Sequence, residues 1–548
     1  MKRRFVADTS LQKKDDLSLR KSVYTAYTNV MIAIQYLQPP AITSDYSSPI
    51  VKIADDWNKD DKCSNADHLI ISGSTYAGTA STVTVGQTLP GGGTAIANGT
   101  YPDVFNNDKV DSSFGITSPI FLQEITTCGT DIRTMYVDPS VITTSFPSKS
   151  ELALNLTPDG KGLTFMGYVS PINQLDVSNS NTPGITEPGN PVITTATYRA
   201  VAQINFDDPH FISHGFLTPK VTTTNAYPGN NGRAGILGSN GLYYTVGNAG
   251  NGNGSAAVTA AAGVQIVIPG QNATSSTPGT NQVGSFNITQ YGYTADKTAK
   301  DNNFRGETIF NNTLYVTKGS GSNGINTVYQ VGNAGSLPTL ANAATAPITI
   351  LPGFPTNLAK TGKNVNGIVQ PIYYPFGIWF ANATTLYVAD EGDGVAADAA
   401  TSATAGLQKW SLVNGTWKLD YVLQKGLNLG QQYPVAGLPA ADNPATDGLR
   451  NLTGHVNSDG TVTLYAVTST ISGSGDQGAD PNEVVAITDR LSYTTAGQSA
   501  SEQFRLIRTP ISGQVLRGIS FAPTNKEKEG SGEDFKPEHE PNSSPTQN

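Results

Sequence analysis

Phe304-Arg-Gly-Glu-Thr-Ile-Phe310 is followed by Thr313-Leu-Tyr-Val-Thr317 and then by Thr327-Val-Tyr-Gln-Val331, with polar connections between the three segments. The β-branched and aromatic residues in each segment favour strands. Asn and Gly in the connections favour turns. This part of the chain therefore predicts consecutive antiparallel strands, the first of which is opened by an Arg-Gly pair.

The same pattern recurs along the chain at a spacing of about 70 residues. A fixed period with about four strands per copy is typical of propeller blades. A more divergent copy begins near Glu151. The remaining openings stand at Arg233, Arg305, Phe376, Arg450 and Arg517.

The two ends of the repeat predict how the ring closes. The last opening strand, Leu516–Phe521, has no following strands, whereas the first copy begins at His68-Leu-Ile-Ile-Ser72 and lacks an opening strand. If the last strand completes the first copy, no sheet edge stays unpaired. We therefore expect an all-β, six-bladed β-propeller over residues 67–524, closed by the last strand of the body pairing into the first blade.

The segments outside the propeller differ in composition. Residues 1–66 are expected to be a poorly structured leader with a possible short helix, because the apolar run at Val23–Leu37 is interrupted by Asn29 and Gln35. This run also stands behind a charged stretch instead of directly after the basic start, so it is not an ordinary signal peptide. Residues 525–548 are rich in Lys, Glu, Asp and Pro and are expected to be a disordered charged tail.

Composition restricts the partners of the protein. Only 14% of the residues are charged and the net charge is −9. The sequence lacks a basic patch with interleaved aromatic residues, so we do not expect nucleic acid as a partner. The sequence contains no continuous apolar run of 18 or more residues, so we expect no transmembrane segment. The low charge and the Thr-, Asn- and Gly-rich strands favour an exported protein, periplasmic or secreted, and we expect it to be a monomer. Cys63 and Cys128 either form one bridge or are two unrelated thiols.

Several strings carry a resemblance to a known group of proteins. Leu386-Tyr-Val-Ala-Asp390, Leu314-Tyr-Val-Thr317 and the Leu-Arg-Gly opening are similar to strings in bacterial exported propellers of the broad NHL and gluconolactonase-like type. Ser148-Lys-Ser-Glu-Leu-Ala-Leu154 and Leu163-Thr-Phe-Met-Gly-Tyr168 resemble an uncharacterised group of such proteins. The resemblance implies six blades and export, and it implies no activity.

Four arginines open their repeats at equivalent positions and are expected to surround one mouth of the central channel. Guanidinium groups that converge there would bind an anion, because each offers a fork of donors to carboxylate or phosphate. In the alternative interpretation, each arginine ties its blade to the next through backbone carbonyls. The four candidates are Arg233, Arg305, Arg450 and Arg517.

Acidic loops and one histidine pair are the candidate metal sites. Asp390, Glu391 and Asp393 lie in a Gly-rich loop and could bind Ca²⁺, as could Asp476 and Asp480 in a similar loop of the next repeat. The alternative is that these are solvated loop acids. His210 and His214 stand four residues apart beside Asp207 and Asp208, but Pro209 disfavours the helix on which such a pair would share zinc.

The sequence carries no Gly-x-Ser-x-Gly, Gly-Lys-Ser/Thr or Cys-x-x-Cys motif. We therefore expect a non-enzymatic binding or scaffold module for an unknown small molecule or surface partner, with no cofactor beyond a possible Ca²⁺. The alternative is a metal-dependent hydrolase or lactonase with its site at the mouth of the central channel.

Overall fold

A computed structural model describes residues 67–108, 114–189, 195–208, 212–213, 215–250, 255–270, 281–473 and 475–523. Six antiparallel sheets follow one another along the chain and form the blades of a propeller, which confirms the predicted all-β, six-bladed fold. The predicted leader, residues 1–66, and the predicted tail lie outside the described residues.

Blade 1 is built from both ends of the body. Its strands, from the axis outward, are Gln514–Phe521, His68–Thr75, Ile120–Thr126 and Asp131–Tyr136. The last strand of the body pairs with the first in an antiparallel register that aligns Ile70 with Ser520. The predicted closure is therefore confirmed.

The other five blades follow in chain order, each from the axis outward. Blade 2 contains Asn155–Leu156, Gly162–Tyr168, Arg199–Asn205 and Lys220–Thr224. Blade 3 contains Gly232–Leu237, Tyr243–Gly247 and Gly263–Val267. Blade 4 contains Glu307–Phe310, Thr313–Lys318, Thr327–Val331 and Ile348–Ile350. Blade 5 contains Pro375–Asn382, Thr385–Asp390, Gly406–Val413 and Thr416–Leu423. Blade 6 contains Ala445–Val456, Thr461–Ile471, Val484–Arg490 and Arg505–Arg508.

Smaller elements lie between these strands. Thr117–Ser118 pairs with Thr144–Ser145, and Ile212–Ser213 pairs with Phe216–Leu217. One α-helical turn spans Ala256–Ala260. Single 3₁₀ turns span Asp103–Asn107, Val177–Asn179, Ile288–Tyr291, Lys300–Asn302, Ala343–Thr345, Ala399–Thr401 and Ala440–Asp442. Among the described residues, no helix has the length and apolar character needed to cross a membrane.

The innermost strands contact one another around the whole ring. The Gly that follows Arg in two of the openings explains how closely they approach. A Cβ on Gly306 of blade 4 would lie 2.2 Å from the carbonyl oxygen of Phe376 in blade 5. A Cβ on Gly518 of blade 1 would lie 2.2 Å from the carbonyl oxygen of Leu152, just before blade 2. Glycine therefore allows neighbouring blades to meet backbone to backbone near the axis.

The hydrophobic core lies between the faces of neighbouring blades. One buried cluster joins blades 3, 4 and 5, and others join blades 5 and 6, blades 1 and 2, and blades 6 and 1. Between blades 4 and 5, for example, the rings of Phe310 and Phe380 stack with centroids 4.6 Å apart. Each blade thus buries its apolar side chains against its neighbours, as repeat architectures require.

Alternating strand directions divide the connections between two faces of the propeller. One face, here called the loop face, carries the connection from each blade to the next and the connection between the second and third strands of each blade. The fully described long connections 351–374 and 391–405 belong to this face. The innermost strands also start there, so the arginines and the acidic loops all lie towards the loop face.

Candidate functional site

The four opening arginines are buried, with 1% to 8% of their surfaces exposed. Arg517 donates hydrogen bonds to the backbone carbonyls of Ser148, Leu516, Phe146 and Gly478. Its guanidinium group is therefore surrounded by carbonyl oxygens of its own chain, and burial lowers its pKa to about 9.

The other three arginines also have partners within the chain. Arg233 of blade 3 donates to Asn303 Oδ1 and to the Phe304 carbonyl, just before blade 4. Arg305 donates to Ser150 Oγ at 2.9 Å and to Ser320 Oγ at 2.6 Å. Arg450 of blade 6 donates to Glu391 Oε2 of the loop in blade 5 at 3.2 Å. The structure thus brings these arginines towards one face, and their anion-binding role stays a prediction.

A fifth buried arginine, Arg199 in blade 2, was missed by the sequence analysis. Its guanidinium donates to the backbone carbonyls of Thr197, Ser178, Ser180 and Asn230. Burial lowers its pKa to about 10. Arg199 begins the third strand of its blade, so the period of the opening strands contains no signal for it.

Residues 147–152, here called the axial segment, contact blades on opposite sides of the ring. The Ser148 carbonyl accepts from Arg517 of blade 1, and Ser150 Oγ accepts from Arg305, which precedes the first strand of blade 4. Lys149 Nζ donates to Gln477 Oε1, in a loop of blade 6, at 2.8 Å. A segment that reaches blades 1, 4 and 6 at once must lie at the propeller axis.

Glu151 anchors the axial segment from inside. Its carboxylate accepts hydrogen bonds from Thr144 Oγ1 at 2.9 Å, from Asn231 Nδ2 at 3.1 Å, and from the hydroxyl of Tyr168. Burial raises its pKa against the opposing effect of these donors. Because Tyr168 belongs to blade 2 and Asn231 opens blade 3, the segment links five of the six blades and lies across the axis on the side of the loop face.

The three predicted calcium ligands are directed to different partners. Asp390 accepts from the backbone amides of Tyr374 and Gly392, Glu391 pairs with Arg450, and the exposed Asp393 accepts from the Val395 amide at 2.9 Å. Within the described parts of the chain, no three His, Cys, Asp or Glu side chains are grouped to hold a metal ion. The Ca²⁺ site therefore stays a prediction without geometric support.

The remaining predicted ligands are also dispersed. Asp476 Oδ1 accepts from the Gly478 amide at 2.7 Å, as a loop acid does. Asp207 forms an ion pair with Lys161 at 3.4 Å, and Asp208 forms one with Lys220 at 3.8 Å. His210 and His214 lie outside the described residues, so the zinc hypothesis stays a prediction.

An open cavity of about 390 Å³, here called the acidic pocket, lies on the loop face. It is formed by the connection between blades 4 and 5, the loop of blade 5, and the first strand of blade 6. Its polar lining includes Tyr374, Asp393, Asp398 and Asp447. Burial, followed by the nearby acids Asp393, Glu391 and Asp390, raises the pKa of Asp447 to about 7.

Of the acids that line the pocket, only Asp393 was predicted as a site residue from the sequence. Asp447 stands three residues before Arg450 in an opening strand, and no motif of its own surrounds it. Asp398 lies in a loop rich in Ala, with no motif around it. Only the fold brings these side chains together, because they come from different blades.

One of the two cysteines can be placed. Cys128 is disulfide-bonded, whereas Cys63 lies outside the described residues. The interpretation of Cys128 as an unrelated free thiol is therefore wrong, because within the described residues no free cysteine is found.

Comparison with known proteins gives little beyond the fold. No family model and no curated protein sequence matches the chain. Among solved structures, the PQQ-bound aldose sugar dehydrogenase of Streptomyces coelicolor is 12% identical over 70% of this chain and 95% of that one, with a TM-score of 0.33. The haemagglutinin-neuraminidase of parainfluenza virus 5 is 10% identical over 74% and 84%, with a TM-score of 0.26. A mutant apocarotenoid oxygenase of Synechocystis is 9% identical over 75% and 60%, with a TM-score of 0.22.

The chain thus belongs to the class of six-bladed β-propellers, as its own sheets define it. The TM-scores are too low for the activities of these similar structures to bear on this chain. What the protein does must be argued from its own residues.

Proposed function

We propose that the chain is an exported, non-enzymatic binding or scaffold module of the broad NHL and gluconolactonase-like kind, which acts as a monomer and binds its partner on the loop face. One observation carries this proposal. The axial segment lies across the propeller axis, and the arginines that face it already donate to groups of their own chain.

The same contacts make the alternative, a metal-dependent hydrolase or lactonase at the channel mouth, the weaker proposal. Such a site needs several oxygen ligands about 2.3–2.6 Å from one point. Asp390 is bonded to two backbone amides and Glu391 to Arg450. Moving them to one metal ion would leave buried donors without acceptors, which costs about 1–3 kcal/mol each.

The disulfide of Cys128 supports the export part of the proposal. Disulfides form and persist in oxidising compartments and are rare in the cytosol of most organisms. Fractionation of the producing cell, with the redox state of Cys128 read by thiol labelling, tests this part. A reduced Cys128 in a cytosolic pool would contradict it.

The functional proposal is tested by a thermal-shift titration of the purified protein with CaCl₂ and with sodium phosphate, alongside an assay of lactone hydrolysis. A ligand that binds only the folded state raises the melting temperature by mass action. We expect no saturable shift with either ion and no hydrolysis above a blank. A saturating rise with CaCl₂ together with Ca²⁺-dependent hydrolysis would establish the metal-dependent alternative instead.

A further inference from the structure

One carboxylate in the acidic pocket is buried without a full set of partners. Asp447 is only 2% exposed, and its Oδ2 accepts from the Gly394 amide at 2.7 Å. Its Oδ1 accepts no hydrogen bond from any described residue. Oδ1 itself is not buried, so it can be reached from the cavity that the side chain lines.

The surroundings of Asp447 favour a positively charged donor. Asp393 and Asp398 line the same cavity and are exposed. Among the residues described around the pocket, none is a lysine or an arginine. The nearby Glu391 is already paired with Arg450. The pocket therefore holds an excess of negative charge that nothing in its lining offsets.

The chemistry of the lining favours an organic cation over a metal ion. The acids of the pocket do not form a group that could hold a metal in the described part of the chain. An ammonium or guanidinium group instead donates several hydrogen bonds in different directions and does not need convergent ligands. Tyr374, which also lines the pocket, adds an aromatic ring of the kind that attracts such cations.

An exposed apolar hairpin borders the pocket and indicates what carries the cation. The Gln370 amide donates to the Gly362 carbonyl at 2.7 Å, and Lys363 is bridged to Val369. At the tip, Val365, Ile368 and Val369 are 57%, 59% and 70% exposed. Because Val369 also lines the pocket, the apolar side chains and the carboxylates form one continuous surface. Exposed apolar patches beside polar groups mark interaction sites.

We propose that the acidic pocket binds a lysine or arginine side chain of a polypeptide partner, with apolar residues beside that side chain packed on the hairpin 361–371. The proposal rests on the proposed function and gives it a partner. Asp447 accepts the charged hydrogen bond at the base of the pocket. Asp393 and Asp398 attract the partner at the rim.

The test is fluorescence anisotropy with a labelled acetyl-Gly-Val-Lys-Val-Gly-amide peptide. We expect saturable binding that weakens as NaCl is raised, because exposed charges are screened. Asp447→Asn should weaken it at least about tenfold, as loss of one partner of a buried charge pair does. Asp398→Asn should weaken it by a few-fold, as rim charges do.

Asp398→Asn keeps the test valid if Asp447→Asn does not fold, because the Asp398 side chain accepts no hydrogen bond from the described residues. Asp103→Asn, an exposed acid in a different connection, is the matched control and should bind like the parent protein. Ile368→Ser, at the tip of the hairpin and outside the lining of the pocket, should weaken the peptide complex and leave binding of free agmatine unchanged.

Three results would overturn the proposal. The first is that a peptide with Glu in place of Lys binds as tightly as the Lys peptide. The second is that Asp447→Asn and Asp398→Asn both bind the peptide with the affinity of the parent protein. The third is that free agmatine binds as tightly as the peptide. Failure of the proposed function has a different signature: Ca²⁺-dependent stabilisation and hydrolysis that persist in Asp447→Asn. The two failures are therefore distinguishable in the same set of proteins.

Discussion

A guanidinium group can stay charged in a protein interior only where acceptors replace the water that it loses. Arg517 is such a case, since four backbone carbonyls surround it. Two of them, those of Phe146 and Ser148, belong to the connection between blades 1 and 2, and another belongs to a loop of blade 6. A single side chain therefore joins three parts of the ring.

Replacing this side chain should destabilise the whole propeller. We expect Arg517→Ala to lower the free energy of unfolding by about 3 kcal/mol, because it leaves buried carbonyls without donors and a cavity at the axis. Urea denaturation followed by tryptophan fluorescence measures the change. Arg490→Ala is the control, because the exposed Arg490 side chain contacts the Tyr493 ring and the substitution keeps its backbone hydrogen bonds; it should cost less than about 1 kcal/mol. Equal effects of the two substitutions would contradict the role given to Arg517.

At this scale the sequence predicted positions but not partners. The period placed Arg305 and Arg517 just before innermost strands. Arg305 does precede Glu307–Phe310, whereas Arg517 lies within Gln514–Phe521. It could not show that Ser150 lies beside Arg305, since the two are 155 residues apart in the chain. The acidic pocket could not be predicted from the sequence for the same reason, because Asp398 and Asp447 come together only when blades 5 and 6 are assembled.

The elements nearest the axis are held by backbone contact, and this makes their glycines sensitive. A Cβ on Gly518 would lie 2.2 Å from the Leu152 carbonyl oxygen and 2.6 Å from the Leu154 amide nitrogen. We expect Gly518→Ala to destabilise the protein by about 2 kcal/mol or more, because neither backbone can move without disturbing a blade. Thermal unfolding in parallel with the parent protein measures this loss.

Gly497 provides the matched control for that substitution. An added Cβ there meets nothing within 4 Å, and its φ is not positive. Gly497→Ala should therefore leave stability unchanged or raise it slightly, since alanine restricts the unfolded chain. If Gly518→Ala were as stable as Gly497→Ala, the close approach of blade 1 to the axial segment would be refuted.

Strand period carries information about blades but little about the segments that join them. The first three strands of blade 4 follow the three segments quoted from the sequence. The axial segment has no such signal, and Leu152 adopts a left-handed φ of 69° that costs a non-glycine residue about 1–2 kcal/mol. Contacts from several blades offset that cost, and no local pattern reveals them.

Neighbouring blades are also joined by a buried polar cluster that the repeat does not predict. Lys409 of blade 5 and Asp489 of blade 6 pair at 3.0 Å with both side chains fully buried. The hydroxyls of Tyr387 and Tyr421 donate to the same carboxylate. Buried ion pairs of this kind contribute more to the specificity with which two blade faces pair than to the stability of the fold.

At the scale of the whole molecule, buried acids connect stability to pH. Burial raises the pKa of Asp176, of Asp390 and of Asp447 to about 7 in each case. In the unfolded chain these groups ionise near pH 4. Between pH 4 and pH 7 the folded state therefore holds protons that the unfolded state has released, so raising the pH favours unfolding. Their contribution to stability is complete below about pH 4 and is lost as the pH rises through about 7.

Burial also raises the pKa of Asp301 to about 6 and that of Glu483 to about 7, so both act in the same direction, whereas Lys318 and Glu124 act outside this window. The buried amine of Lys318 has its pKa lowered to about 7 by burial, so its effect on stability begins above that pH and rises with it. Glu124, although burial opposes the shift, has its pKa lowered by hydrogen bonds from His68 and Arg133. The contribution of Glu124 is therefore already complete near pH 5.

We accordingly expect the free energy of unfolding to fall between pH 5 and pH 7 by more than about 1.4 kcal/mol, the equivalent of one pKa unit at one carboxyl group. Urea unfolding at the two pH values, at constant ionic strength, measures the change. In Asp447→Asn, which cannot ionise at that position, the fall should be smaller than in the parent protein. Asp103→Asn, which changes an exposed acid, should retain the full fall. A stability that rises from pH 5 to pH 7 would show that these carboxyl groups are ionised in the folded state, and therefore that the interior of the loop face is open to water.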